Sequence, residues 1–392
     1  MVAIAADPPE EAANVTIHIR EHRPGENLGA FIGVAHEVFR GDPCWVPPLE
    51  LDMRERLTPR KNPFFEHGEA MLFTAWRGNR LLGRCSAQID REHLRIYNDE
   101  TGFFGFFDTV DDEEVARALI DAATSWCGRR GMKRLRGPLS LTINDEVGTL
   151  VEGFDTPPFV LMGHSRDYQG GLAEAAGLAK VKDMLAWKYE VGKLPARSER
   201  AWRAVHEMPE VRLRSMRKKD MASEAVLVME IFNDAWSDNW GFVPMTESQI
   251  KKMAKELKLF LDENLAFIAE IDGKPMAVLI CLPNLNESIQ DLGGKLFPFG
   301  LPKLLWRLKM RPPRTARVVL LGIRKELRGV KRYGALALAM CTEVAKRGAA
   351  QGITWGELSW TLEDNAAVNL GIRAMNGRVY KRYRVYEKAI AD

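Results

Sequence analysis

Residues 317–336, RVVLLGIRKELRGVKRYGAL, decide the reading of this chain. The first seven are rich in Val and Leu and predict a strand, and residues 336–347 predict a helix. Between them Arg328 and Gly329 precede Lys331, Arg332, Tyr333, Gly334 and Ala335, so basic side chains and two glycines meet at a helix N-terminus. Free amides, the helix dipole and fixed positive charge favour an anion there, and glycine lets the backbone approach its oxygens. A pyrophosphate fits that description. Glycine at a helix start also has purely steric uses, so the loop gains its weight from what surrounds it.

Working outward, the design occurs twice. Residues 265–282 read as two short apolar strands around a polar turn at 271–274, and residues 70–89 do the same around 77–80. Residues 103–107, like 317–323, are an apolar strand leading into a helix that ends in a glycine, Gly131 or Gly348. Stretches 178–189 and 377–386 close each half with alternating basic and aromatic or apolar residues. The copies lie roughly 200 residues apart, far beyond the periods of solenoids and propellers. Two related α/β domains in tandem follow: residues 1–192, a linker at 193–210 where Pro195 and Pro209 flank a short polar helix, and residues 211–392. In the first copy Asp111, Asp112, Glu113 and Glu114 occupy the matching helix start. Carboxylates there complement the dipole but repel phosphate, so the second copy alone keeps an anion loop.

At 392 residues and 46% hydrophobic, the chain can build a core for each half. A net charge of +3, with Lys and Arg spread throughout, gives no support for nucleic-acid binding. The five cysteines are far apart and form no C-x-x-C pair, which predicts neither a disulfide framework nor a zinc site and fits a reducing cytoplasm. Residues 1–14 lack the basic and apolar regions of a secretory signal, and no run approaches 18 apolar residues, so no membrane span is expected. Residues 292–317 form an insertion that the first half lacks. It carries Lys295, Lys303, Arg307, Lys309, Arg311 and Arg314 without one acid, interleaved with Phe297, Phe299, Leu305 and Trp306. That mixture suits peripheral contact with an anionic membrane or the entry of a greasy substrate, and equally a lid whose aromatics pack inward.

The strand, basic loop and helix resemble the GNAT family of acyl-CoA N-acyltransferases, in which a loop of pattern [Q/R]-x-x-G-x-[G/A] cradles the CoA pyrophosphate. Here the pattern falls on Lys331, Arg332, Tyr333, Gly334, Ala335 and Leu336, with Lys at its first position and Leu at its last. The resemblance implies tandem GNAT domains, each a central mixed, mostly antiparallel sheet flanked by helices. It makes Ile323, Arg328, Gly329, Lys331, Arg332, Tyr333, Gly334, Ala335 and Asn365 the expected acyl-CoA contacts, with no metal. The tyrosine that often protonates the departing thiolate is Ile372 in this chain. NPFFEHGEA (62–70), GFFGFFD (102–108), GPLSLTINDE (137–146), GFDTPP (153–158) and GELSWTLEDN (356–365) resemble a bacterial tandem subfamily that includes ceramide synthases. It implies long-chain acyl transfer to a sphingoid base, in the cytoplasm or at the inner face of its membrane. Acetylation of a small polar amine, or binding of acyl-CoA or lipid without turnover, are the alternatives.

Such chemistry needs a base, because a protonated amine cannot attack a thioester. All seven histidines lie at or before His206, so a base in the second half is Glu, Asp, Tyr or a water they orient. Glu357 lies on the strand after the anion loop, and Glu363 with Asp364 at its end. The first half offers a rival set: Asn144, Asp145 and Glu146, then His164, Asp167 and Tyr168 beyond GFDTPP. If the strand ends of the two halves face each other, this set binds the amine or supplies the base from across the interface. Each of these groups also has an ordinary structural use, and His93 reads as a turn residue.

Overall fold

A computed structural model describes residues 16–192 and 194–391. The first half contributes β1 (Ile17–His22), α1 (Leu28–Val38), α2 (Glu50–Arg56), β2 (Gly68–Arg77), β3 (Arg80–Asp90), α3 (Arg91–Tyr97), β4 (Thr101–Thr109), α4 (Glu113–Gly128), β5 (Arg134–Gly137), β6 (Thr149–Glu152), α5 (Gln169–Ala175) and β7 (Ala179–Glu190). The second contributes α6 (Ala196–His206), β8 (Val211–Ser215), α7 (Met221–Trp236), α8 (Glu247–Phe260), β9 (Ala266–Ile271), β10 (Lys274–Pro283), α9 (Asn286–Ile289), α10 (Gly300–Met310), β11 (Thr315–Ile323), α11 (Leu336–Ala350), β12 (Trp355–Leu362), α12 (Ala366–Ala374) and β13 (Arg378–Ala389).

The two halves share one sheet. Its order is β1-β2-β3-β4-β5-β13-β7-β12-β11-β10-β9-β8, with β6 beside β13. Each half supplies a run of five adjacent strands, β1–β5 or β8–β12, and each run is then completed by the final strand of the other half. β13 pairs with β5, from Tyr386↔Gly137 to Ala389↔Arg134, while β7 pairs with β12, from Trp355↔Glu190 to Leu362↔Met184. β7 and β13 pair with each other at the centre. Pairing is antiparallel except for β4 with β5 and β11 with β12 among the described residues.

Helices cover both faces because their apolar residues recur at helical spacing. α4 buries Val115, Leu119, Ala123 and Trp126 on the first half, and α11 buries Leu336, Met340, Val344 and Ala345 on the second. α7 covers the opposite face of β9 and β10 with Val228, Ile231 and Phe232. A further core mixes the halves, joining Phe159 and Met162 to Leu362, Tyr383 and Val385. His93 lies in α3 instead of a turn. Asp90 caps that helix through the amides of Glu92 and His93, and the buried imidazole faces Asp99 at 3.1 Å.

Candidate active site

β11 and β12 run parallel and pair only from Thr315↔Trp355 to Val318↔Leu358. β11 continues to Ile323, while Thr361 and Leu362 of β12 pair away from it, with β7. The edge of β11 that faced β12 is therefore unpaired beyond Val318. Val319, Leu320, Leu321 and Ile323 are only half-buried there, in the middle of a sheet. An open main-chain edge in that position can pair with an extended ligand that carries amides of its own.

The slot leads to the anion loop. Lys325–Leu327 and Lys331–Tyr333 form short 3₁₀ turns, Gly329 sits at φ 78°, and α11 starts at Leu336. No side chain caps α11 and no acid occupies its first turn. In the first half, by contrast, Asp112 accepts the amides of Glu114 and Val115 and blocks the start of α4. A Cβ on Gly329 would meet nothing within 4 Å, and one on Gly334 would come no closer than 3.4 Å to the Lys331 carbonyl, so this backbone is open to approach. Several loop cations are already engaged: Lys325 with Asp238 at 2.6 Å, Arg328 with Asp238 at 3.5 Å, and Arg332 with Glu210 at 2.5 Å. Lys331 is exposed and has no partner among the described residues. Ile323 and Tyr333 pack against the core beneath α11, and Ala335 is the residue before it. Asn365 caps α12, accepting the Val368 amide at 3.3 Å. The Ile372 side chain is buried in the same core beneath α11.

Where the slot closes, Glu357 lies one residue before the last pair and points to the face opposite α11, since neighbouring Leu358 packs under α11. Its carboxylate is fully buried. Ser359 donates its hydroxyl to Oε1, Tyr380 donates its phenol to Oε2, and Arg317 Nε lies 3.4 Å from Oε1. Burial, followed by the charge of Glu357, pushes the Tyr380 phenol far above its ordinary range. Burial likewise depresses Arg317, which Glu357 opposes.

Next to Tyr380 lies a second buried cation. Lys381 has no exposed surface, and its Nζ donates to the carbonyls of Gly153 and Thr156 at 2.7 Å each. Burial lowers its pKa to about 8, against the opposing charges of Glu357, Asp155 and Asp42. Beyond it, His164 Nε2 lies 3.0 Å from Asp42 Oδ2, with Nδ1 buried and unpartnered. Burial depresses His164 below the ordinary imidazole value, Asp42 opposes, and Lys381 adds to the depression. Glu357 and His164 thus come from different halves to flank one lysine electrostatically.

The other sequence candidates have local partners. Asp145 accepts the Thr142 hydroxyl at 2.7 Å, and Glu146 pairs with Arg56 at 3.2 Å. Tyr168 donates to the Thr109 carbonyl at 3.1 Å. Glu363 accepts the Asp183 amide at 3.0 Å and Lys180 at 2.8 Å. Sequence reasoning passed over Arg317, Ser359, Tyr380, Lys381 and Asp42. The signal for two of them was present, since Tyr380 and Lys381 belong to the alternating basic and aromatic stretch that ends the chain. Among the described residues no cluster of His, Cys, Asp and Glu could hold a metal ion, and no helix is long and apolar enough to cross a membrane.

No family model matches the chain. It is 41% identical over 385 residues, 97% of its length and 100% of the relative's, to a protein of Caulobacter vibrioides named bacterial ceramide synthase. It is 39% identical over 364 residues, 93% of each chain, to the Escherichia coli protein YghO. Its fold is similar to that of a tandem GNAT protein from the clavulanic acid biosynthesis pathway, with TM-score 0.57, 12% identity, and coverage of 96% of this chain and 99% of the other. A GCN5-related N-acetyltransferase from Sphaerobacter thermophilus is similar at TM-score 0.53 and 14% identity, over 95% and 96% of the two chains. With its doubled architecture and a full-length relative above 40% identity, the chain belongs to the tandem GNAT N-acyltransferase family that contains the bacterial ceramide synthase.

Proposed function

We propose that this enzyme transfers a long-chain fatty acyl group from acyl-CoA to the primary amine of a sphingoid base. The observation that carries the reading is the slot between β11 and β12, which runs from the uncapped start of α11 to Glu357. The pyrophosphate would meet the loop containing Arg328, Gly329, Lys331, Arg332, Tyr333, Gly334 and Ala335. The pantetheine amides would pair with the open edge of β11 up to Ile323, which places the thioester near the closure at Val318 and Leu358.

The amine nitrogen then attacks the thioester carbonyl. The C–N bond forms, the C–S bond breaks, and the proton lost by the amine is balanced by the one gained by the CoA thiolate. Glu357 is the proton acceptor in this reading, with Tyr380 and Ser359 orienting its carboxylate. His164, paired with Asp42, feels the charge of Lys381 and would lie toward the acceptor in this reading.

Lipid-borne substrates agree with the insertion. In α10 and the residues before it, Phe297, Phe299, Leu305, Trp306 and Met310 are exposed, and Phe299 is 81% exposed. Lys303 and Arg307 pair with Asp291, but Lys295, Lys309, Arg311 and Arg314 are exposed around the same surface. Aromatic side chains ringed by cations favour peripheral contact with anionic lipid at the inner face of the cytoplasmic membrane.

The deciding experiment follows free-CoA release from palmitoyl-CoA and from acetyl-CoA, with and without sphinganine, in wild type and Gly334→Trp. Release that requires both palmitoyl-CoA and sphinganine, and that Gly334→Trp abolishes, is expected. Saturable acyl-CoA binding without release would replace this reading with a binding module, and preference for acetyl-CoA with a polar amine would replace it with small-amine acetylation.

A further inference from the structure

Residues 153–163 of the first half have no regular secondary structure, yet they cross the second half's sheet beside Glu357 under close control. Their carbonyls are held by side chains of the second half. Lys381 donates to Gly153 and Thr156, Asn286 to Pro158 at 2.9 Å, Arg317 to Val160 at 2.7 Å, and Tyr383 to Gly163 at 3.3 Å. Pro157 and Pro158 have no N–H to offer, so this main chain is suited to accept and not to pair as a strand. Phe159 is buried edge-on against Trp355 of β12 and fixes the middle of the crossing.

Two features distinguish this arrangement from an ordinary packed loop. Arg317 and Lys381 are both buried, and a buried cation is costly unless its hydrogen bonds are fully used. Arg317 also contacts the Glu357 carboxylate, whereas Lys381 reaches main-chain carbonyls with no carboxylate in direct contact among the described residues. In addition Thr156 Oγ1 and His164 Nδ1 are buried without a hydrogen-bond partner. The crossing therefore retains unused polar capacity of the kind that an amine bearing neighbouring hydroxyls would engage.

We propose that residues 153–164 form the acceptor-binding wall of the acyl-transfer site, recognising an amino-alcohol head group, and that Lys381 and Arg317 are positioning residues clamping this wall against Glu357. The proposal rests on the acyl-transfer reading for the identity of the acceptor. The clamp itself rests on the three carbonyl contacts of Lys381 and Arg317, beside those of Asn286 and Tyr383.

Hydrogen exchange on the full chain tests both parts. Lys381→Met should speed exchange within 153–163 by about tenfold, with peptides from α4 and α11 unchanged, and Lys381→Arg should recover part of the loss. Steady-state assays should show the KM for sphinganine raised about tenfold while the KM for palmitoyl-CoA stays within about twofold. Asn286→Leu, which leaves both buried cations in place, should give a smaller change in the same direction. In wild type, sphinganine added with a thioether analogue of palmitoyl-CoA should protect 153–163. Protection without turnover would leave the wall standing and sink the sphingoid-base reaction. Turnover without protection, or a parallel rise in both KM values in the Lys381 variant, would overturn the wall. Unchanged exchange in Lys381→Met would overturn the clamp.

Discussion

The phenol of Tyr380 donates to Oε2 of Glu357 across an intervening strand, since β7 separates β12 from β13. A bulge makes the reach possible: Val379 pairs with Trp187 and Lys381 with Ala186, which leaves Tyr380 as an extra residue in β13. Bulges re-aim side chains, and here Tyr380 and Lys381 both meet the layer that holds residues 153–163. The Glu357 carboxylate is thus held by side chains of β11, β12 and β13, all from the second half, with β7 of the first half setting the spacing between β12 and β13.

Glu357→Gln keeps the shape of the side chain and removes its basicity. Turnover should fall by roughly 10²–10⁴-fold, the range of general-base contributions, with the dissociation constant for acyl-CoA within about twofold of wild type. Tyr380→Phe leaves a buried carboxylate oxygen short of a donor, a defect of about 1–3 kcal/mol, and should lower both stability and turnover. Wild-type turnover in Glu357→Gln would remove it from the mechanism.

The anion loop gives an independent prediction. Lys331 is exposed and unpartnered, so Lys331→Glu should leave thermal stability unchanged. An exposed charge contact is worth up to about 1 kcal/mol, so the KM for acyl-CoA should rise roughly fivefold, and less so in high salt. A KM that does not move would place the pyrophosphate elsewhere.

Much of this was legible in the sequence, and the limits have physical causes. β2 with β3, β9 with β10, and the strand, loop and helix at Thr315–Ile323 to Leu336–Ala350 follow from apolar patterning and turn chemistry. The exchange of terminal strands does not, because β7 and β13 have similar alternation and either could complete either sheet. Glu357 was singled out by its place on the strand after the anion loop. Tyr380 and Lys381 lay in a visible basic and aromatic alternation, but the bulge between Val379 and Lys381 shifts the register, so the alternation does not tell which face either one meets. The carbonyl clamp has no side-chain signature on the accepting side beyond the adjacent Pro157 and Pro158.

The strand exchange predicts that the halves do not fold separately. Expressed alone, either half leaves an edge, β5 or β12, without its neighbour, and carries a terminal strand with no sheet to join. Residues 1–192 or 211–392 alone should be aggregated or poorly structured by circular dichroism. Co-expressed, they should copurify and regain acyl-CoA binding. A stable, monomeric isolated half would show that the exchanged strands are dispensable to it.

The surface of α10 should behave as a membrane contact that folding does not need, because no residue of that helix is buried. Replacing Phe299 and Trp306 with Ser should abolish sedimentation with anionic vesicles while leaving the melting temperature within experimental error. Near an anionic surface each Lys or Arg contributes about 1 kcal/mol, so changing Lys309, Arg311 and Arg314 to Gln should weaken binding by roughly 100-fold. Equal binding to neutral vesicles by wild type would rule out the role assigned to the cations.

The His164 and Asp42 pair makes stability depend on pH in a specific window. Burial holds His164 below 6.5, and the charges facing it are Asp42, Arg166 and Lys381. Between 6.5 and the lower folded value, the unfolded chain binds a proton that the folded chain refuses, so stability is lost as pH falls through that interval. Asp42 is itself held below the ordinary carboxylate range by the His164 and Cys44 hydrogen bonds, despite its burial, so its own loss comes at more acidic pH. The urea midpoint of wild type should therefore drop between pH 6.5 and 5 more steeply than that of His164→Gln. Parallel curves for the two proteins would mean that His164 titrates alike folded and unfolded, and that burial does not outweigh the Asp42 carboxylate in keeping it neutral.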